Sequence, residues 1–145
     1  NVGSRFLLLV PWQDNPSRGV GHGHSIRCRV RAPFAVWSLN VNHCLTAECK
    51  DRIDARENLQ LLDVREAWEF ETARIEGSRL IPMGEVRARL SELDRTADTV
   101  VICHHGGRSA QVGLFLEREG FSQIHNLTGG VDAWARSIDP SMPTY

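Results

Sequence analysis

The sequence has no surplus of positive charge, no long hydrophobic run and no paired metal-ligand spacing, and each absence removes a class of function. Its 145 residues carry a formal net charge of -1, so no nucleic-acid partner is expected, since that needs a basic footprint. The charge is unevenly spread. Residues 1–40 hold five arginines (Arg5, Arg18, Arg27, Arg29, Arg31) against Asp14, and the remainder holds twelve basic and seventeen acidic residues. The apolar run from Phe6 to Val10 falls far short of the roughly 20 residues that cross a bilayer. Pro11-Trp12 interrupts it before any small-residue cleavage site. No membrane partner is expected, and the chain reads as cytoplasmic. The four cysteines, Cys28, Cys44, Cys49 and Cys103, are expected reduced, because a chain of this size does not need disulfide staples. His22, His24, Cys28, His43, Cys44 and Cys49 form a loose set without Cys-x2-Cys or His-x3-His spacing. Neither a metal nor a cofactor is therefore expected. Cys103 has no Cys-x-x-Cys partner, which argues against a thioredoxin-type redox site.

What is present points to one globular domain. The hydrophobic fraction of 41% and charged fraction of 24% are ordinary for a soluble fold. Residues 1–40 are expected to be an irregular, flexible tail, rich in glycine, proline, serine and arginine between Asn15 and Pro33. Their arginine-rich, acid-poor character also fits an organelle-targeting leader. Val36, Leu39 and Val41 hint at a strand. The domain proper is expected over 41–145, starting with an edge strand near Val41–Leu45.

From there, strands and helices alternate. Thr46 is expected to cap a helix running to about Arg56, followed by strand Leu59–Asp63 and a short helix from Glu66 to about Ala73. A strand around Arg79–Ile81 ends at Pro82. Val86, Leu90 and Leu93 then fall at i, i+4 and i+7, which predicts an amphipathic helix over Met83–Leu93. Strand Thr99–Ile102, a helix from about Ser109 to Glu119, strand Gln123–Leu127 and a helix Val131–Arg136 complete the pattern. Gly120 stands where a helix C′ glycine is expected. The prolines of Asp139–Tyr145 predict an extended tail. Such alternation argues for an α/β domain with a mainly parallel sheet and helices on both faces. Ligands of these sheets bind beyond the carboxyl ends of the strands.

That is where Cys103-His104-His105-Gly106-Gly107-Arg108-Ser109 falls. Two consecutive glycines allow the loop to turn its backbone N–H groups inward. These donors, the positive end of the following helix and the Arg108 guanidinium would then face the Cys103 sulfur. Such a setting favours the thiolate, which is the nucleophile. The loop resembles the active-site loop of single-domain rhodaneses, a family of sulfurtransferases. Leu61-Leu62-Asp63-Val64-Arg65-Glu66, Trp68-Glu69-Phe70, Arg74-Ile75-Glu76-Gly77-Ser78 and Ile81-Pro82 resemble that family's first signature. Asn126-Leu127-Thr128-Gly129-Gly130-Val131-Asp132-Ala133-Trp134 is similar to its C-terminal one. The likeness covers about residues 43–145 and implies a rhodanese-like sheet of about five strands.

The resemblance implies a double displacement through a Cys103 persulfide, with a sulfur donor such as thiosulfate and a thiophilic acceptor: cyanide, a thiol or a protein. His104, His105, Gly106, Gly107, Arg108 and Ser109 are expected to line the substrate site. Arg108 would bind the anion or anchor the loop, and Ser109 would mainly cap the helix. The two histidines depart from the family's usual residues and leave donor choice open. Asp63 and Arg65 lie at a strand end in reach of the loop, where pairing with each other or with Glu66 is at least as well founded as contact with substrate. His125, Trp68 and Trp134 are expected to be structural. Cysteine phosphatases and arsenate reductases of the same fold are the nearest enzyme alternative, and a non-catalytic rhodanese-like interaction domain is another. The former carry a loop one residue longer between cysteine and arginine, and the latter commonly lack the cysteine. Four residues separate Cys103 from Arg108 here.

Overall fold

The computed structural model describes residues 41–145. The expected tail over 1–40, the strand hint at Val36 and Leu39, and His22, His24 and Cys28 lie outside the described residues. The elements follow in the order β1 (Asn42–Cys44), α1 (Thr46–Asp54), β2 (Leu59–Asp63), α2 (Ala67–Thr72), β3 (Arg79–Leu80), β4 (Asp98–Ile102), α3 (Gly107–Arg118), β5 (Ile124–Leu127) and α4 (Gly130–Ser137). The five strands form one sheet in the order β1-β5-β4-β2-β3, and every neighbouring pair is parallel. The expected α/β fold is present.

β4 lies in the middle because its side chains are apolar on both faces. Val101 and Cys103 pack with Leu62, Val112, Leu116 and Ile124 beneath α3. Val100 and Ile102 point the other way, into Leu61, Leu127, Val131 and Trp134. All three β4 residues Val100, Val101 and Ile102 are fully buried, as a strand covered on both sides must be. Leu62 is level with Val101 and Asp63 with Ile102, so the chain leaves β2 and β4 side by side. Among the described residues no helix is long and apolar enough to cross a membrane.

Four local expectations need correction. Leu45, not Thr46, occupies the cap of α1, with no side-chain cap bond; the Thr46 hydroxyl instead meets Ser137 Oγ at 3.1 Å, tying α1 to α4. Met83–Leu93 is no amphipathic α-helix but successive turns closed by a short 3-10 segment, Leu90–Glu92. Val86 and Leu93 are nevertheless buried, with Met83 and Leu90 packed beside them. The helix after the Cys103 loop starts at Gly107, two residues earlier than expected. The segment after α4 turns on Asp139, whose carbonyl takes the Met142 N–H at 3.0 Å, and carries Tyr145 back to Arg65.

Candidate active site

Cys103 is the first residue beyond β4 and is almost wholly buried. The loop it opens is fixed from outside. Val131 N–H donates to the Cys103 carbonyl at 2.9 Å and Asp132 N–H to the His104 carbonyl at 3.1 Å. With these carbonyls drawn into the first turn of α4, the Gly106 N–H turns inward and donates to Cys103 Sγ at 3.0 Å. Gly130 makes this docking possible. Its φ is +59°, and a Cβ there would lie 2.2 Å from the Cys103 carbonyl oxygen and 2.4 Å from that of His104. Gly106 has φ +103° and caps α3, a conformation that favours glycine. Gly107 differs from expectation. It is an ordinary first residue of α3 with open space around its Cβ position, so one glycine, not two, forms the inward turn.

Ser109 is not the helix cap, since α3 begins before it. It is fully buried, and its hydroxyl lies 3.1 Å from Cys103 Sγ and 2.6 Å from Asn126 Oδ1. A hydroxyl has one proton and can also accept: given to Asn126 Oδ1, it leaves the oxygen free to accept from a Cys103 thiol, and given to the sulfur, it leaves the Asn126 contact without a proton. Together with the start of α3, whose partial positive charge favours an anion, these groups form a polar cradle around the sulfur.

Arg108 pairs with Glu69 of α2. Its two terminal nitrogens donate to the two carboxylate oxygens of Glu69, both at 2.7 Å, a bidentate geometry that fixes orientation. The Arg108 guanidinium holds the Glu69 carboxyl down to about 2, against the burial that opposes it. Glu69 also accepts the Glu66 N–H at 2.9 Å in a capping box that starts α2, so the start of α3 is clamped to α2.

Asp63 and Arg65 pair with each other. Both side chains are completely buried, and Arg65 reaches the Asp63 carboxylate at 2.6 and 2.9 Å. Its remaining donors go to the carbonyls of Ala73 (2.7 Å) and Glu69 (3.3 Å) and to the Tyr145 hydroxyl at 2.5 Å. None of these bonds reaches Cys103. Its role is to brace the wall beside the loop. The Tyr145 ring lies 4.5 Å from the His104 ring and 5.3 Å from that of Trp68, so the last described residues cover one side of the loop. His104 is half-buried; burial first, and His105 beside it second, hold its imidazole below the ordinary value. His105 is exposed, with Nδ1 3.6 Å from Asp132 Oδ2. His125 Nε2 lies 2.8 Å from Asp98 Oδ1, and Trp134 is buried in the core. Trp68 is 60% exposed and packs on Tyr145.

Glu69, Asn126 and Tyr145 join the site without having been singled out. Glu66-x-x-Glu69 was a readable capping signal, and a polar residue inside a short apolar strand was a readable sign at Asn126. Nothing local marks Tyr145.

The profile of the rhodanese-like domain matches residues 45–137. A sulfurtransferase of Allochromatium vinosum is 32% identical over 96 residues, which cover 66% of this chain and 90% of that protein. The rhodanese-like/PpiC domain-containing protein 12, chloroplastic, of Arabidopsis thaliana is 40% identical over 93 residues, 61% of this chain and 31% of that protein. The crystal structure of a rhodanese-like domain protein from Staphylococcus aureus superposes with a TM-score of 0.62 at 30% identity, covering 65% of this chain and 91% of that one. The chain spans less than half the length of several curated relatives, 31% and 46% of two of them.

Proposed function

Because the chain belongs to the rhodanese-like domain family, we propose that it is a sulfurtransferase that carries a sulfane sulfur on Cys103. The observation that carries this reading is the cradle itself: a buried sulfur receiving the Gly106 N–H and facing the Ser109 hydroxyl. In the first half-reaction the Cys103 thiolate attacks the outer sulfur of a donor such as thiosulfate. The new S–S bond leaves a persulfide anion, and the bond to the sulfonate sulfur breaks to release sulfite. In the second, an acceptor attacks the terminal sulfur and Cys103 departs as the thiolate. Cyanide leaves as thiocyanate; a thiol acceptor, on a small molecule or a protein, leaves as its own persulfide. Splitting the transfer in two is the benefit of a covalent intermediate, and fixed donors stabilise the negative charge on the sulfur at both stages.

His104, His105 and Tyr145 border the entrance and act on access and donor choice. The short Cys103–Arg108 loop suits one sulfur better than a tetrahedral phosphate or arsenate. A reducing compartment such as the cytoplasm would keep the thiol free. Thiocyanate formation from thiosulfate and cyanide tests the reading. Turnover by the wild type that is lost in Cys103→Ser is the expected result. A folded protein with a free thiol and neither turnover nor sulfur uptake would overturn it.

A further inference from the structure

The sequence spacing offers no metal site, but the fold brings two histidines and an aspartate together beside the sulfur cradle. We propose that His104, His105 and Asp132 bind a divalent transition-metal ion of the zinc class at the rim of the Cys103 loop. One imidazole nitrogen from each histidine and one carboxylate oxygen of Asp132 lie within 4.8 Å of one another. Two donors on a tetrahedral ion with bonds of 2.0–2.1 Å stand about 3.3 Å apart. His105 Nδ1 and Asp132 Oδ2, at 3.6 Å, are already close to that spacing, and His105 is exposed enough to turn. His104 Nδ1 is buried without a hydrogen-bond partner, so no bond through that nitrogen fixes the ring.

The two elements that carry the donors are stitched together. Asp132 N–H donates to the His104 carbonyl at 3.1 Å, which fixes loop against helix without using a ligand atom. Arg136 donates to Asp132 Oδ1 at 2.9 Å and leaves Oδ2 facing His105, the kind of outer contact that orients a ligating carboxylate. As a bare surface pair, His105–Asp132 would be worth little. A second imidazole nitrogen within 4.8 Å of both makes a two-nitrogen, one-oxygen set. That is a combination which holds zinc with an open position.

Co(II) serves as the spectroscopic probe, titrated into the full chain carrying Cys103→Ser so that the nucleophilic sulfur is absent. One equivalent should bind and give visible ligand-field bands without sulfur-to-metal charge transfer, and Zn(II) should displace it. His105→Ala and Asp132→Asn, both outside the sulfur cradle, should each weaken binding by about tenfold or more with an unchanged circular dichroism spectrum. The proposal is overturned if no equivalent binds in the Cys103→Ser chain. It is also overturned if the affinity survives both His105→Ala and Asp132→Asn, because the ion is then held elsewhere. The readout is metal rather than sulfur, so either failure leaves the sulfurtransferase reading intact.

Discussion

Cys44 and Cys103 occupy corresponding places in the sheet, the first closing β1 and the second immediately following β4, and both are 1% exposed. Their surroundings are opposite in sense. The Cys44 thiol donates to the Leu45 carbonyl at 3.6 Å, and its neighbour Cys49 is fully buried in an apolar cluster. Burial, then Glu48, pushes the Cys44 thiol up; burial, then Cys44, pushes Cys49 up to about 12. These two sulfurs are held as protonated core side chains. Cys103 Sγ instead accepts the Gly106 N–H and faces a hydroxyl able to donate. Two equally buried sulfurs thus meet different neighbours, an apolar cluster at Cys44 and Cys49 and a backbone N–H with a hydroxyl at Cys103.

The largest expected contrast comes from exchanging sulfur for oxygen at each place. Cys103→Ser should lower thiosulfate:cyanide turnover by at least about a thousandfold, as loss of a covalent nucleophile does. Cys49→Ser should leave turnover nearly unchanged and cost about 1–3 kcal/mol of stability through a buried hydroxyl, read by urea unfolding. Next is the docking of the loop on α4. Gly130→Ala puts a methyl onto the Cys103 and His104 carbonyls, and should cost about 2–4 kcal/mol and reduce turnover more than tenfold. An unchanged Tm in that variant would show that the loop carbonyls are not held there.

Ser109→Ala removes one of the two groups on the sulfur and should slow the transfer by about a hundredfold, in line with loss of one oxyanion donor. The smallest effect belongs to the clamp. The Glu69 carboxyl sits at about 2 in the folded protein against about 4.3 unfolded. Its stabilising share is therefore whole above pH 4.3 and drains as pH falls toward 2. Glu69→Gln should cost about 1–2 kcal/mol at neutral pH, reduced from the full pKa shift because Arg108 is a third exposed. It should also flatten the acid limb of stability measured by urea unfolding from pH 5 to pH 2.

The same contrast separates what could be read in the sequence from what could not. Cys103 was legible because a β-branched strand, a glycine and a helix follow one another within a few residues, and local order is what a sequence displays. The inert state of Cys44 and Cys49 follows from their place between β1 and α1 in an apolar cluster. Ser109 was misjudged because α3 begins at Gly107, and two residues of difference move a hydroxyl from a cap to the sulfur. The Val86, Leu90 and Leu93 spacing reported which side chains face inward; turns and a 3-10 segment satisfy it as well as an α-helix does. Arg108 finds Glu69 in another helix, and Arg65 finds Tyr145 from the far end of the domain. Partners so distant in sequence leave no periodic trace. The histidine–aspartate cluster was invisible for the same reason.

The direct test is to incubate the protein with thiosulfate alone, block exposed sulfur with an alkylating agent, digest it, and locate the added sulfur by mass. One extra sulfur atom on the peptide carrying Cys103, with the peptide carrying Cys44 and Cys49 unmodified, is the predicted result. Added sulfur on Cys44 or Cys49, or none on Cys103 while its thiol remains free, would contradict it.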